Sequence, residues 1–189
     1  YAVLDKLYVD YAKGDATVYA TVVTPAGEKT DITVNKITAY YPFEHEDNGK
    51  AVKAADFIAT LDDNMAQGLG FQYQWSGSAY YKAFYYCQLI NYVVNEDGSY
   101  NLTLATDGVT NAPYTKGSVY WNPTSVDNAS TVVDIRLMNA ATTSNTVFTG
   151  KDNIPSMVNV DLVYVKAAAD SDIDVGFLTA GRADDKIEI

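Results

Sequence analysis

The sequence predicts a mainly-β protein: an antiparallel β-sandwich or jelly-roll-like domain of about ten short strands, with one short helix at about 52–67. Three observations predict it. Apolar and polar residues alternate with period two in many short runs. Clusters of Gly, Pro, Asn and Asp separate those runs at the spacing of antiparallel sheets. Helical spacing appears convincingly only once, so the helices that a parallel α/β sheet requires are missing.

In chain order, Val3 to Tyr11 places Val3, Leu7, Val9 and Tyr11 on one side and Lys6 and Asp10 on the other, which is a strand. Gly14-Asp15 turns the chain. Thr17 to Thr24 is rich in β-branched residues, Pro25-Ala26-Gly27-Glu28 is a turn, and Thr30 to Tyr41 resumes strand composition, making a hairpin. Glu44 to Gly49 is a polar loop. Ala54, Ile58, Leu61 and Met65 then recur at helical spacing, and Gly68 is placed to stop the helix.

Phe71-Gln72-Tyr73-Gln74-Trp75 alternates ring and amide, so it is read as a strand. Ala79 to Val94 has a first half that could be helical and a second half, from Cys87, that is strand. Asn95-Glu96-Asp97-Gly98 followed by Tyr100 to Leu104 is a hairpin signal. Further strands are expected at Ser118 to Trp121, Ser130 to Met138, Thr146 to Thr149, Met157 to Lys166 and Ile173 to Thr179. No repeat, low-complexity tract or long linker divides the chain, so 1–189 reads as a single domain. Its terminal segments, 1–11 and 186–189, have strand character suited to pairing with neighbouring subunits.

Bulk numbers exclude several functions. Hydrophobic content of 48% with 20% charged residues suits a compact globule. Net charge is −11, and Arg136 and Arg182 are the only arginines, so nucleic acid and anionic membrane surfaces are disfavoured partners. No apolar run approaches the ~18 residues of a membrane span. The chain opens on tyrosine, which predicts proteolytic processing and, with it, a secreted or cell-surface location.

Catalytic constellations are scarce. Cys87 is the sole cysteine and His45 the sole histidine, so no internal disulfide and no zinc-like spacing exists. His45 sits in the acidic run Glu44-His45-Glu46-Asp47, away from any nucleophile motif. Gly68-Leu69-Gly70 precedes a strand and lacks the last glycine of a dinucleotide fingerprint. The expectation is a non-enzyme, with no catalytic residues.

Metal and glycan sites are candidates. Asp170, Asp172 and Asp174 stand two residues apart and could converge on calcium, a hard cation that takes six to eight oxygens. Glu44, Glu46, Asp47 and Asn48 form a second, weaker acidic cluster. Asn101 and Asn128 open glycosylation triplets.

The stretch 71–94 holds nine of 24 aromatic residues. Phe71, Tyr73 and Trp75 on one face, and Tyr81, Tyr85, Cys87, Leu89 and Val93 on another, are expected to face the core. Trp75, Tyr80, Phe84, Tyr86 and Tyr92 are candidates for a subunit interface or a sugar-stacking platform, because a two-layer sandwich buries one side of each sheet and rings enrich contact centres. At the chain ends, Val3, Leu7, Val9, Tyr11, Ile187 and Ile189 are the matching interface candidates, by strand exchange between copies.

In composition, being acidic, almost free of cysteine and rich in Thr, Ala, Asn and Tyr, the chain resembles secreted bacterial and archaeal filament subunits. The function expected is therefore an extracellular self-assembling structural subunit of a filament, pilus or surface lattice, with itself as partner. A virion structural protein and a carbohydrate-binding module are the alternatives.

Overall fold

The computed structural model describes residues 1–10, 16–69, 71–74, 81–104, 109–110, 120–121, 124–125, 129–138, 141–154, 161–166 and 173–179. It is mainly β, as the sequence predicts. Its residues group into two compact units, Tyr1–Val22 with Thr30–Thr106, and Val23–Lys29 with Asp107–Ile189.

The first unit carries β1 (Ala2–Asp10), β2 (Thr17–Val23), β3 (Lys29–Thr38), β4 (Ala51–Lys53), α1 (Ala54–Thr60), α2 (Asp63–Gly68), β5 (Gln72–Gln74), β6 (Tyr81–Val94) and β7 (Tyr100–Leu104). Strands β1, β2, β3, β7 and β6 are neighbours in that order, and β6 pairs again with β1, from Ala2 opposite Ile90 to Asp10 opposite Tyr81. The path closes into a ring of five strands. A closed sheet has no open edge along its ring, and β1 is bonded on both sides.

The predicted antiparallel pattern has an exception here. β3 and β7 run parallel, Val34 opposite Tyr100 and Thr38 opposite Thr103, because the long connection through the helices and β6 brings the chain back in the same direction. The run Ala79 to Val94, ambiguous in sequence, is strand from Tyr81. Its long neighbours decide this, since β1, β5 and β7 all pair with it.

The single helix expected at about 52–67 is two. Ala51–Lys53 pairs with β3 instead of joining the helix. Leu61 then adopts an extended conformation, and Asp62 Oδ1 accepts the Met65 N–H at 2.8 Å, so its side chain starts a new helix rather than continuing the old one. Periodicity survives the break: Ala54, Phe57, Ile58, Leu61 and Ala66 are buried against the strands. Leu4, Leu7, Val9, Val18, Ala20, Ile32, Val34, Ile37, Phe71, Ile90 and Leu102 complete this core. Each large apolar side chain taken out of water contributes roughly 1.5–3 kcal/mol before the entropy of ordering it is subtracted.

The second unit carries β8 (Val109–Thr110), β9 (Tyr120–Trp121), β10 (Thr124–Ser125), β11 (Thr131–Asp134), β12 (Thr146–Thr149), a 3-10 turn (Lys151–Asn153), β13 (Asp161–Lys166) and β14 (Ile173–Thr179). Five of these form a sheet in the order β12-β11-β14-β13-β8, in which β11 and β14 are parallel. Val132, Val133, Ile135, Ile154, Phe177 and Leu178 are buried. The link from β2 to β3 belongs to this unit: Asn145 N–H donates to Gly27 O at 2.8 Å and Lys29 N–H to Thr143 O at 3.0 Å. No helix among the described residues is long and apolar enough to cross a membrane.

Candidate functional site

Between β3 and β4 the chain leaves the sheet at Ala39, and the stretch to Lys50 makes a loop that is held shut. Gly49 N–H donates to Ala39 O at 2.9 Å, Tyr41 N–H to Asn48 Oδ1 at 2.9 Å and Lys50 N–H to Asp47 O at 3.0 Å. Gly49 has φ +71 and faces the Tyr40 ring, so both its backbone angle and its lack of a side chain serve the turn.

This loop carries three rings in mutual contact. Tyr41 and His45 stack at 3.9 Å with 17° between planes, Phe43 tilts against Tyr41 at 5.5 Å, and Phe43 meets His45 at 6.3 Å and 70°. Gly68 at the end of α2 lies against Phe43, where an added Cβ would stand 3.0 Å from the ring. Tyr41 is half-buried against the core, whereas Phe43 is 41% exposed. Asp47 N–H donates to His45 Nδ1 at 3.1 Å, so in the neutral imidazole the proton lies on Nε2. Burial, and after it the charge of Asp47, pushes the Tyr41 hydroxyl above its ordinary titration range.

A second aromatic surface lies on the outward positions of β1 to β3. Tyr8 and Tyr19 stack at 5.3 Å, and Lys6 Nζ stands 4.5 Å from the Tyr8 centroid. Thr21 Oγ1 donates to Asp31 Oδ1 at 2.6 Å beside them. Burial raises the Tyr8 hydroxyl, with Asp31, Tyr19 and Asp10 adding to it.

The candidates from sequence fare unevenly. Trp75, Tyr80, Tyr11, Ile187, Ile189, Asp170, Asp172 and Asn128 lie outside the described residues. Phe84 and Tyr86 are in β6, with Phe84 opposite Leu7. Val3, Leu7 and Val9 are interior to their own unit rather than displayed at its surface. Tyr92 packs half-buried against that core and touches Tyr100 at 5.6 Å, while Val93, expected inside, is 65% exposed. The cause is register: Tyr92 lies opposite the buried Leu102, whereas Val93 lies opposite Asn101.

Asp174 is exposed in β14, and among the described residues no three His, Cys, Asp or Glu side chains are grouped to hold a metal. Asn101 Nδ2, the atom a glycan would need, donates to Asn95 Oδ1 at 3.2 Å, and Asn95 Nδ2 returns a bond to Asn101 Oδ1 at 3.1 Å.

Sequence reasoning missed the ring cluster. It read Glu44 to Gly49 as a polar loop, although Tyr40, Tyr41, Phe43 and His45 within six residues carried the signal. The loop sets the exposed Phe43 among Glu44, Glu46 and Asp47 in sequence, and His45 Nδ1 is taken by the Asp47 N–H. No protein-family model, no curated protein and no solved structure matches the chain.

Proposed function

We propose that the chain is a non-enzymatic structural subunit of an extracellular self-assembling polymer, a filament, pilus or surface lattice, joined by strand pairing between copies. One observation carries this reading. β12 pairs with β11 on one side; on the other, Glu28 bridges to Ser144 just before the strand, and among the described residues no strand pairs with Thr146–Thr149 beyond that bridge. Its Thr-Val-Phe-Thr sequence has none of the lysines, prolines or bulges that usually protect an edge. An added strand there would gain backbone hydrogen bonds, and a head-to-tail contact that does not close propagates into a fibre.

The first unit offers no comparable margin along its ring, and β1 is already held on both sides. The segment proposed as donor is 186–189, whose Lys-Ile-Glu-Ile sequence alternates as a strand does.

Sedimentation velocity and electron microscopy of the full chain test the reading. Polymer should form with concentration in the wild type and be lost in Thr146→Lys, which adds a charge to the edge, while the two monomers keep the same circular dichroism. A wild-type protein that stays monomeric at high concentration defeats the proposal.

A further inference from the structure

We infer that the Tyr41, Phe43 and His45 cluster is a docking site for a cationic side chain, arginine or lysine, presented by a basic segment of a different protein. This goes beyond the assembly reading and stands without it.

The site is open and pre-built. Phe43 is among the most exposed aromatic rings of the described chain, and its neighbours are fixed by the ring stack, by the backbone bonds closing the loop and by Gly68 beneath. A ligand therefore meets a formed surface and orders little on binding.

Charge selects the ligand. Residues 39–50 carry three acids, Glu44, Glu46 and Asp47, and one base, Lys50, a net of −2. Among the described residues none of the three acids has an ion-pair partner. Asp47 is tied by its N–H to His45 Nδ1 at 3.1 Å, which keeps it beside the rings, and its charge adds to burial in raising the Tyr41 hydroxyl. A cation over an aromatic face gains from both the ring quadrupole and the carboxylates.

The molecule already contains this arrangement once with its cation in place. On β1 and β2 a stacked pair, Tyr8 and Tyr19, lies in the field of Asp31 and Asp10, and Lys6 Nζ sits over Tyr8. In the β3–β4 loop the stacked pair and the carboxylates recur, and among the described residues no ammonium or guanidinium lies over the rings.

A second copy is a poorer occupant than a basic segment, because at −11 it brings no excess of cations to the loop and its Arg136 is already clamped by Asp134. A neutral glycan could stack on the same rings but would draw nothing from the net charge.

His45 is the only histidine, so its imidazole proton signals are unique in the NMR spectrum. The full-length protein is titrated with a short arginine-glycine peptide, with the same peptide carrying citrulline, and with maltohexaose. The arginine peptide should shift the His45 and Phe43 signals saturably and bind at least about two- to fivefold tighter than the citrulline peptide. Its affinity should fall as salt is added. Phe43→Ala should weaken binding severalfold. Because Phe43 rests on Gly68 and its loss can disturb the loop, the exposed pair Glu44→Gln and Glu46→Gln provides an independent check, also expected to weaken binding severalfold. Thr146→Lys, in the other unit, should bind as the wild type does, which separates this site from the assembly edge. Equal binding of arginine and citrulline peptides overturns the proposal. So does silence of the arginine peptide up to about 1 mM, or a response to maltohexaose in its place.

Discussion

The imidazole of His45 lies 3.9 Å from the ring of Tyr41, nearly parallel to it, while its Nδ1 accepts the N–H of Asp47 two residues on. One side chain thus covers a half-buried tyrosine and ties the loop that carries the exposed Phe43. His45→Ala should lower stability by about 0.5–1.5 kcal/mol and free the Asp47 amide. Urea denaturation and amide exchange measure the two effects; an unchanged exchange rate at Asp47 would show that the stack does not organise the loop.

Gly27 and Gly98 have the same backbone angle, φ +83, but different surroundings. A Cβ on Gly98 meets nothing within 4 Å, whereas one on Gly27 would lie 2.5 Å from Asn145 O. Gly98→Ala should therefore cost about 1–2 kcal/mol, the left-handed penalty alone. Gly27→Ala should cost about 1–3 kcal/mol more, because the clash is with backbone that the Asn145 N–H to Gly27 O bond holds close. Equal losses in thermal unfolding would mean that this turn docks less tightly than the geometry states.

Leu7 is fully buried in β1, opposite Phe84 of β6. Leu7→Ala should cost about 2–5 kcal/mol. If β1 belongs to its own ring, that loss is independent of protein concentration; a loss that shrinks as concentration rises would mean that a neighbour supplies the strand.

In the second unit Arg136 donates through Nε to Asp134 Oδ1 at 2.9 Å and through Nη2 to Oδ2 at 2.7 Å. Burial pushes the Asp134 carboxyl up, but the hydrogen bonds and charge of Arg136 outweigh it and hold the group below its ordinary 3.8. A lowered folded value means that the stabilisation is present above the unfolded value and disappears as pH falls through the folded one. Asp134→Asn should lose under about 1 kcal/mol at neutral pH, since the pair is partly solvated. Urea midpoints of variant and wild type should converge once the carboxyl is protonated; a gap that persists in acid would assign the effect to something other than the charge.

Much of the secondary structure was legible because it is local. The period-two runs at Thr146–Thr149 and Ile173–Thr179 are strands with the expected bounds, and the turns at Gly27 and Gly98 fall where glycine composition marked them. The division of the helix at Leu61 and Asp62 was less legible, since the apolar spacing continues across it and only the Asp62 side chain reveals the restart. The ring cluster was hidden for a different reason. Tyr41, Phe43 and His45 alternate with charged and turn residues, so their contact depends on how the loop folds back from Ala39 to Gly49 rather than on any periodicity.

The amino-acid sequence by itself determined that this is a β-rich, acidic chain with one cysteine and one histidine, because composition and alternation act residue by residue. Tertiary structure alone decided that β1 closes a ring, that β3 and β7 lie parallel, that Tyr92 turns inward while Val93 turns out, and that Gly27 meets Asn145. Each of these depends on which distant strand supplies the hydrogen bonds and on its register. A one-residue change of register reverses every side chain without altering the local pattern.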